Sequence, residues 1–291
     1  MNERSSVSPP VLLTIAGFDP SAGAGVGADL KTFSAHNCYG IAAITALTVQ
    51  STRGVRCVQP VSAELLRAQL DELVKDIPVA AVKIGMLATR ANVQVVAELL
   101  EKKKFPHVVL DPVLRATSGM ELLEASGVKE LSKRLLPLAT VITPNIAEAA
   151  ALTGLEIKKL EDMKAAAQKL RELGARAVVI TGGDLEKPTD LLYAGSEFTP
   201  FGSERIKSEN THGTGCAFSS ALAANLAAGR QLPDAVMLAK AYVGRAIEKG
   251  YALGKGKGTL NHFYRQQNGQ TAHSHSIHVP AEGPAHAMSH F

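Results

Sequence analysis

The chain has 291 residues, of which 46% are hydrophobic and 20% charged, the balance of a soluble globular protein with one large α/β domain or two small ones. A net charge of +4 is too small to indicate a polyanionic partner, and 5 Tyr, 8 Phe and no Trp leave few platforms for stacking single-stranded nucleic acid. The composition therefore predicts no nucleic acid partner.

The three cysteines, Cys38, Cys57 and Cys216, lie far apart and form no C-x-x-C pair. An odd number of separated cysteines suits a reducing compartment better than a disulfide framework. The apolar run at residues 11–16 is too short for a signal peptide core or a membrane span. We therefore expect a cytoplasmic protein with no membrane partner.

The first half of the chain alternates strand-like and helix-like runs. Strands are predicted at residues 11–16, 41–49, 55–60, 79–84 and 108–110, which are apolar and favour β structure. Helices are predicted at residues 26–35, 62–75 and 89–103. Ser62 is expected to cap the second helix, and the lysines at 102–104 suit the negative end of the third.

The second half continues this alternation and then changes. Helices are predicted at residues 128–136, 144–152, 160–173 and 233–249, and strands at 140–143 and 178–181. Short antiparallel strands are predicted at residues 191–193, 197–201 and 205–207, with turns at 194–195 and 202–203. This order predicts an α/β fold with a mainly parallel central sheet, a short antiparallel edge region and helices on both faces.

The two ends of the chain differ from this pattern. Residues 1–10 are polar and end in proline, so we expect a loose arm before a single domain at residues 11–264. Residues 265–291 hold five of the nine histidines and few apolar side chains, which predicts a disordered tail. A transition metal could bind these histidines, but their irregular spacing favours a solvated tail.

The stretch at residues 210–224, N-T-H-G-T-G-C-A-F-S-S-A-L-A-A, turns on Gly213 and Gly215 and enters an Ala-rich helix. Amides of the first helical turn have no intrahelical partner, and the helix dipole there favours an anion. Cys216 lies in this turn, where a helix N-terminus lowers a thiol pKa from about 8.5. A proton acceptor beside an anion seat indicates phosphoryl transfer to a hydroxyl. The alternative is a tight strand-to-helix connection with a packed cysteine.

Ligands of parallel sheets bind outside the carboxyl ends of the strands, and several polar residues are expected there. They are Asp19, Gln50, Lys83, Asp111, Asn145 and Asp184. Asp111, Asn145 and Glu148 would offer oxygen ligands suited to Mg²⁺ held partly through waters. Each of them by itself also fits a helix cap.

The glycine-rich loop at residues 17–25 could approach a ligand closely, because few Cβ atoms stand in the way. It lacks G-x-G-x-x-G spacing, and the chain has no G-x-x-x-x-G-K-[ST], which argues against a dinucleotide dehydrogenase and a Walker-type ATPase. Asp19 in this loop is either a substrate ligand or a turn cap. Residues 254–258, G-K-G-K-G, either close over a base or form a linker, and composition favours the linker.

Three further residues each allow more than one interpretation. The Gln50 amide suits the edge of a heterocycle or faces solvent at a strand end. Met86 is a soft wall for a flat ring or plain core. Lys83 is a phosphate ligand, a surface cation or a structural residue, and the surface or structural interpretation is favoured.

Several motifs together resemble one family. They are L-T-I-A-G at 13–17, A-D-L-K-T-F at 28–33, I-T-A-L-T-V-Q at 44–50, K-I-G-M-L at 83–87, D-P-V at 111–113, T-P-N-x-x-E-A at 143–149 and T-H-G-T-G-C at 211–216. Over residues 11–264 the chain is similar in register to the hydroxymethylpyrimidine/phosphomethylpyrimidine kinases of thiamine biosynthesis. The resemblance implies a ribokinase-like α/β/α fold and ATP-dependent phosphorylation of hydroxymethylpyrimidine and of its monophosphate, with Mg²⁺.

The resemblance also implies roles for individual residues. The pyrimidine would contact Asp19, Gln50, Met86 and Val113. Cys216 would be the base, and the backbone of Gly213, Thr214 and Gly215 would hold the transferring phosphoryl group. Asp111 and Glu148 would hold Mg²⁺, and the nucleotide would lie near Asp111, Asn145, Thr181, Thr211, Gly256 and Gly258. Proteins of related fold often form dimers, so the resemblance allows a homodimer.

Three residues depart from the family pattern. Phe18 stands where the family commonly has Ser, Ala22 where Gly is usual, and Thr259 where Pro is common. The first two change the substrate loop and leave a pyridoxal kinase as an alternative. A catalytically inactive pyrimidine-binding sensor is a further alternative, against which the presence of Glu148 and Cys216 argues.

Overall fold

Nine strands form one sheet among residues 8–116 and 118–267, which the computed structural model describes. They are β1 (Val11–Phe18), β2 (Tyr39–Ser51), β3 (Gly54–Pro60), β4 (Ala81–Ile84), β5 (His107–Leu110), β6 (Val141–Ile142), β7 (Ala177–Ile180), β8 (Thr189–Ala194) and β9 (Glu197–Gly202). Their order is β3-β2-β1-β4-β5-β6-β7-β8-β9. The six central strands, β2-β1-β4-β5-β6-β7, are parallel, whereas β3, β8 and β9 pair antiparallel at the two edges.

Helices cover both faces of the sheet, so the expected three-layer α/β/α architecture is confirmed. They are α1 (Gly25–Ala35), α2 (Ala63–Asp76), α3 (Arg90–Lys102), α4 (Ala125–Glu130), α5 (Ile146–Thr153), α6 (Leu160–Glu172), α7 (Thr214–Ala227), α8 (Leu232–Glu248) and α9 (Tyr264–Gln267). After α4 the chain continues in a π turn, Leu131–Leu135, and a 3₁₀ turn, Leu136–Leu138. α1, α7 and α8 pack on one face, and α2, α3, α5 and α6 on the other.

Local sequence signals set several helix ends. The Ser62 side chain accepts a hydrogen bond from Leu65 N and caps α2, as predicted, and Thr89 caps α3 in the same way. Gly154 ends α5 with a φ of 75°, a left-handed conformation that glycine adopts without steric cost. The apolar runs of the inner strands are buried on both faces, as in other parallel sheets.

The antiparallel edge after β7 differs from the prediction in one place. The β8–β9 hairpin turns at Gly195, with a φ of 62°, as expected. The strand predicted at residues 205–207 is wrong, because this segment has left the sheet. Arg205 donates to the carbonyl oxygen of Leu185, and Ser208 lies beside Ile247 of α8. The segment leads from the sheet edge to the turn before α7, and its contacts at Arg205 and Ser208 are with a loop and a helix instead of a strand.

A buried ion pair fastens the helical layer of α1 and α7 to the sheet. Lys83 on β4 places Nζ 3.0 and 2.9 Å from the two carboxylate oxygens of Asp29 on α1, and both side chains are fully buried. Asp29 also accepts hydrogen bonds from Thr14 on β1 (2.6 Å) and Ser220 on α7 (2.7 Å). A Cβ at residue 85 would lie 2.8 Å from Nζ, so Gly85 makes room for the ammonium group. The structural interpretation of Lys83 is therefore confirmed, and the surface interpretation is wrong.

Much of the two predicted end segments, residues 1–7 and 268–291, lies outside the described residues. The predicted domain end after residue 264 falls inside α9. Within the described part of the chain, none of the helices combines the length and apolar character needed to cross a membrane.

We expect Lys83→Met to lower the free energy of unfolding by about 3–5 kcal/mol, because it leaves the Asp29 carboxylate buried and unpaired. Denaturant titration measures the change. The matched control is Lys158→Met, whose ion pair with Glu156 is exposed (73% and 76% of the side chains) and contributes about 1 kcal/mol or less. Equal denaturation midpoints for Lys83→Met and the parent would contradict this account.

Candidate active site

The turn that precedes α7 is bare backbone. Gly213 has a φ of 83°, and a Cβ there would lie 1.8 Å from the carbonyl oxygen of Gly23, so the turn packs directly on the loop after β1. A Cβ at the exposed Gly215 would meet no atom within 4 Å. The amide of Thr214 lies 3.4 Å from Thr211 O, and the next amides belong to the first turn of α7, which lacks intrahelical acceptors. The turn is therefore open at Gly215, as the predicted anion seat requires.

Asp19 organises the loop between β1 and α1. One carboxylate oxygen accepts from Ser21 N (2.8 Å) and Ser21 Oγ (2.7 Å), and the other accepts from Ala24 N (3.0 Å) and His212 Nε2 (2.8 Å). Burial alone would raise the Asp19 pKa, but the hydrogen bonds from His212 and Ser21 outweigh it and lower that pKa. All four contacts are internal, so the turn-cap interpretation of Asp19 is borne out by the geometry.

His212 is a site residue that was not among the predicted ones. Its Nε2 donates to Asp19 Oδ2 and lies 3.4 Å from Nε2 of Gln50, so the ring stands between the glycine-rich loop and the end of β2. The side-chain amide oxygen of Gln50, Oε1, accepts a hydrogen bond from Thr48 Oγ1 at 3.1 Å. The available signal was the position of His212 in the T-H-G-T-G-C motif, directly before the anion turn.

The Cys216 thiol lies among charged groups at the start of α7. Desolvation raises its pKa to about 12; Lys83 opposes this shift, and the Asp29 and Asp111 carboxylates add to it. The backbone of Gly25 forms a hydrogen bond to the sulfur. The predicted lowering of the thiol pKa is therefore wrong, because desolvation, the largest effect on this thiol, raises it. The neighbours of the buried sulfur are charged and polar groups.

Asp111 and Glu148 form a pair of buried carboxylates. Asp111 follows β5 and accepts from Ser219 Oγ at 3.0 Å, and burial raises its pKa to about 6. Burial and the neighbouring Asp111 raise the pKa of Glu148 to about 8. Among the described residues, no three His, Cys, Asp or Glu side chains are arranged so that they could hold a metal ion by themselves. Two repelling carboxylates without a third ligand fit a hard divalent cation that keeps several waters.

The capping interpretation of Asn145 and Glu148 is also correct. Asn145 Oδ1 accepts from Glu148 N and Glu148 Oε2 accepts from Asn145 N, both at 2.9 Å, in a capping box at the start of α5. Asn145 pairs with Thr181 after β7, and Thr181 N donates to Pro144 O at 2.9 Å. The capping box therefore fixes the Glu148 side chain at the carboxyl edge of the sheet.

The G-K-G-K-G segment is not a free linker. Gly256 N donates to Thr52 Oγ1 (3.2 Å), and a Cβ at residue 256 would lie 1.9 Å from Thr52 O. Gly258 N donates to Glu209 O at 3.2 Å, and a Cβ there would lie 1.8 Å from Asn210 Oδ1. The glycine-rich composition predicted a linker, since a contact such as that with Thr52, 204 residues away, leaves no trace in the local sequence. Thr211, whose N lies 3.0 Å from Glu209 O, is in the adjoining segment.

Met86 and Val113 belong to one small apolar cluster beside the glycine-rich loop. Its other members include Ala46, Ala88 and Leu122. A Cβ at residue 17 would lie 2.8 Å from Met86 Sδ, so Gly17 allows the loop to lie against this side chain. The structure thus brings together two of the four residues predicted to contact the pyrimidine.

The three departures from the family pattern have structural correlates. Ala22 has a φ of 53°, in the region that favours glycine, and its carbonyl oxygen accepts from Lys31 Nζ at 2.8 Å. Thr259 N donates to Tyr251 O at 2.9 Å, a bond that proline could not form. Phe18 is 37% exposed at the end of β1.

Surface hollows elsewhere do not compete with this site. One of about 440 Å³ lies at the end of α2, and one of about 260 Å³ lies between α2 and α3. Both are in the helical layer opposite α7, and none of the predicted site residues lines them.

Comparisons with known proteins agree with this geometry. The sequence pattern of the family described as phosphomethylpyrimidine kinase matches residues 19–261. A Rhizobium meliloti (strain 1021) protein named hydroxymethylpyrimidine/phosphomethylpyrimidine kinase is 46% identical over 260 residues, covering 88% of this chain and 97% of that protein. The ADP complex of Bacillus subtilis pyridoxal kinase is similar with a TM-score of 0.82 and 39% identity, over 90% of this chain and 100% of that chain. The structure of phosphomethylpyrimidine kinase from Clostridium difficile 630 is similar with a TM-score of 0.73 and 39% sequence identity, over 82% of this chain and 99% of that chain.

Glu148→Gln should become more stable relative to the parent as pH rises from about 4.5 to about 8 in the presence of a chelator. A raised carboxyl pKa means that the folded state resists ionisation, so the parent loses stability across this window and the amide does not. Urea titrations at several pH values measure the difference. Glu156→Gln, at a carboxylate whose side chain is 76% exposed, is the control and should show no such trend. If the stability difference between Glu148→Gln and the parent did not change with pH, the raised pKa of Glu148 would be refuted.

Proposed function

The chain belongs to the phosphomethylpyrimidine kinase family, and we propose that it phosphorylates 4-amino-5-hydroxymethyl-2-methylpyrimidine with ATP, and then the monophosphate to the diphosphate, in thiamine diphosphate biosynthesis. Its α/β/α architecture is ribokinase-like, as expected from the resemblance. Three unpaired cysteines and the use of ATP support a cytoplasmic location for this phosphotransferase.

One observation carries the proposal: the open glycine turn before α7 lies at the same sheet edge as the buried carboxylates of Asp111 and Glu148. The turn would receive the phosphoryl group on backbone amides and on the positive end of the helix dipole. Mg²⁺ bound by Asp111 and Glu148, with Asn145 holding Glu148 in place, would neutralise charge on the phosphates of ATP. Nucleotide binding near Thr181, Thr211, Gly256 and Gly258 is supported by the pairing of Thr181 with Asn145 and by the hydrogen bonds that Thr211 and Gly258 donate to Glu209 O.

The pyrimidine would lie between the apolar cluster and the end of β2. Met86 and Val113 offer a face for the flat ring, and the Gln50 amide offers both a donor and an acceptor to its edge. Asp19 would act through the loop it holds and through His212, since its own oxygens are already engaged. In this arrangement the hydroxymethyl group points toward the turn at residues 213–216.

Cys216 would take the proton from the substrate hydroxyl. With a pKa of about 12 the thiol is protonated at neutral pH in the free enzyme, and only a small thiolate fraction is able to act as base. Phosphoryl transfer has a loose transition state in which positioning and electrostatic stabilisation contribute most, and a general base adds about 10²–10⁴-fold.

Phosphorylation of pyridoxal is the second candidate. It is favoured by the TM-score of 0.82 and the 39% identity to the pyridoxal kinase of Bacillus subtilis. Ala22 and Phe18 alter the loop beside the ring site, where the two substrates would differ in their contacts.

A substrate panel tests the proposal. ADP release is measured with hydroxymethylpyrimidine, its monophosphate and pyridoxal, each with ATP and Mg²⁺. We expect the highest kcat/KM with the two pyrimidines, because Gln50 matches the amino-pyrimidine edge. Higher kcat/KM with pyridoxal would establish the second candidate, and tight pyrimidine binding without ADP release would identify a sensor.

Cys216→Ala should lower kcat by about 10²–10⁴-fold, the usual contribution of a general base, and leave the Kd for the pyrimidine nearly unchanged. The parent kcat should rise with pH above neutrality, because the thiolate fraction of Cys216 grows as the pH approaches its pKa of about 12. The variant should lack this rise. Steady-state rates at several pH values and a binding titration provide the data. Unchanged turnover in the variant would remove Cys216 from the base role.

A further inference from the structure

The turn between β2 and β3 is hydrogen bonded to the loop at residues 254–258, which we call the strap. Thr52 lies in this turn, two residues after Gln50. Its Oγ1 accepts from Gly256 N at 3.2 Å, and its carbonyl oxygen accepts from Lys257 N at 3.0 Å. A Cβ at Gly254 would lie 2.4 Å from Thr52 Oγ1, so the strap touches Thr52 along much of its length.

The other end of the strap is attached to the segment before the anion turn. Gly258 O accepts from His212 N at 3.1 Å, and Gly258 N donates to Glu209 O at 3.2 Å. Thr259 and Tyr251 exchange two backbone hydrogen bonds, of 2.9 and 2.8 Å, which close the base of the strap. The strap therefore bridges Thr52 and the residues directly preceding Gly213.

A third contact closes the ring. Nε2 of His212 lies 3.4 Å from Nε2 of Gln50 and 2.8 Å from Asp19 Oδ2. The end of β2, the strap and the anion turn are thus joined in a cycle, Gln50 to Thr52 to the strap to His212 and back to Gln50. The strap is hydrogen bonded to Thr52 and to the His212 amide, whereas the His212 ring, whose Nε2 donates to Asp19, only packs against the Gln50 side chain. A shift of the strap therefore strains its bonds to Thr52 and His212 and alters the packing of His212 on Gln50.

We propose that Thr52 is a positioning residue that couples the binding of the pyrimidine to the binding of ATP. The inference rests on the proposed function, which places the ring at Gln50 and the nucleotide beside the strap. Lys255 and Lys257 are exposed cations on the strap, and their charge suits the phosphates of ATP. By holding the strap to the strand that carries Gln50, Thr52 allows an occupied pyrimidine site to order the lysines.

Coupling between two sites is reciprocal, so it is measurable from either ligand. In the parent protein, saturating hydroxymethylpyrimidine should lower the Kd of Mg²⁺-AMP-PNP and slow trypsin cleavage after Lys255 and Lys257. In Thr52→Val the shape is kept and the acceptor for Gly256 N is lost. We expect the KM for ATP to rise about 3- to 10-fold, the effect of one lost hydrogen bond, with little change in the pyrimidine Kd.

The full-length chain is used throughout, with two matched variants. Thr52→Ser keeps the hydroxyl and should restore both the ATP KM and the pyrimidine-dependent protection from trypsin. Thr199→Val removes a half-buried hydroxyl on β9, at the opposite edge of the sheet, and should leave both unchanged. Thermal melting confirms that all variants are folded.

The two levels of the proposal fail in different ways. If the parent phosphorylates none of the three candidate substrates, the proposed function is wrong. If the parent is active but pyrimidine changes neither nucleotide affinity nor strap cleavage, or if Thr52→Val keeps the parental coupling, Thr52 has no coupling role. Loss of coupling in Thr52→Val with rescue by Thr52→Ser supports it.

Discussion

The ion pair between Lys83 and Asp29 connects every layer that carries the site. Asp29 binds β1 through Thr14, β4 through Lys83 and α7 through Ser220, so a single carboxylate joins α1, two central strands and the helix whose start forms the anion turn. Burial disfavours a charged lysine, but Asp29 raises the Lys83 pKa above its usual value and keeps the ammonium ionised. Because an unpaired charge there is so costly, the relative positions of these elements are tightly constrained.

This arrangement also determines the electrostatics of the site. Lys83 forms its ion pair with Asp29, and its charge only partly offsets the effect of burial on Asp111. Burial raises the pKa of Asp111 to about 6, and burial together with the neighbouring Asp111 raises that of Glu148 to about 8. The cleft thus combines a bare helix N-terminus, suited to phosphate, with carboxylates suited to a divalent cation. The nucleotide with a bound cation that we propose as the ligand would match both features.

Several site residues act through others. The Asp19 carboxylate accepts four hydrogen bonds from the protein itself, so it shapes the loop and orients His212. Asn145 holds Glu148 in a capping box, and Thr52 holds the strap. Residue types typical of ligand contact therefore position backbone and neighbouring side chains here. The surfaces that we propose for the substrate are glycine amides, the Gln50 amide and the apolar faces of Met86 and Val113.

The sequence by itself determined the α/β alternation, the caps Ser62 and Asn145, the glycine turn before α7 and the family, because these depend on residues within a few positions of one another or on contiguous motifs. The tertiary structure alone decided the partner of Lys83, 54 residues from Asp29, and that of His212, 193 residues from Asp19. It also reversed the expected shift of the Cys216 pKa and anchored the strap to Thr52. Desolvation and hydrogen bonding depend on which distant residues surround a group, and local spacing holds no record of them.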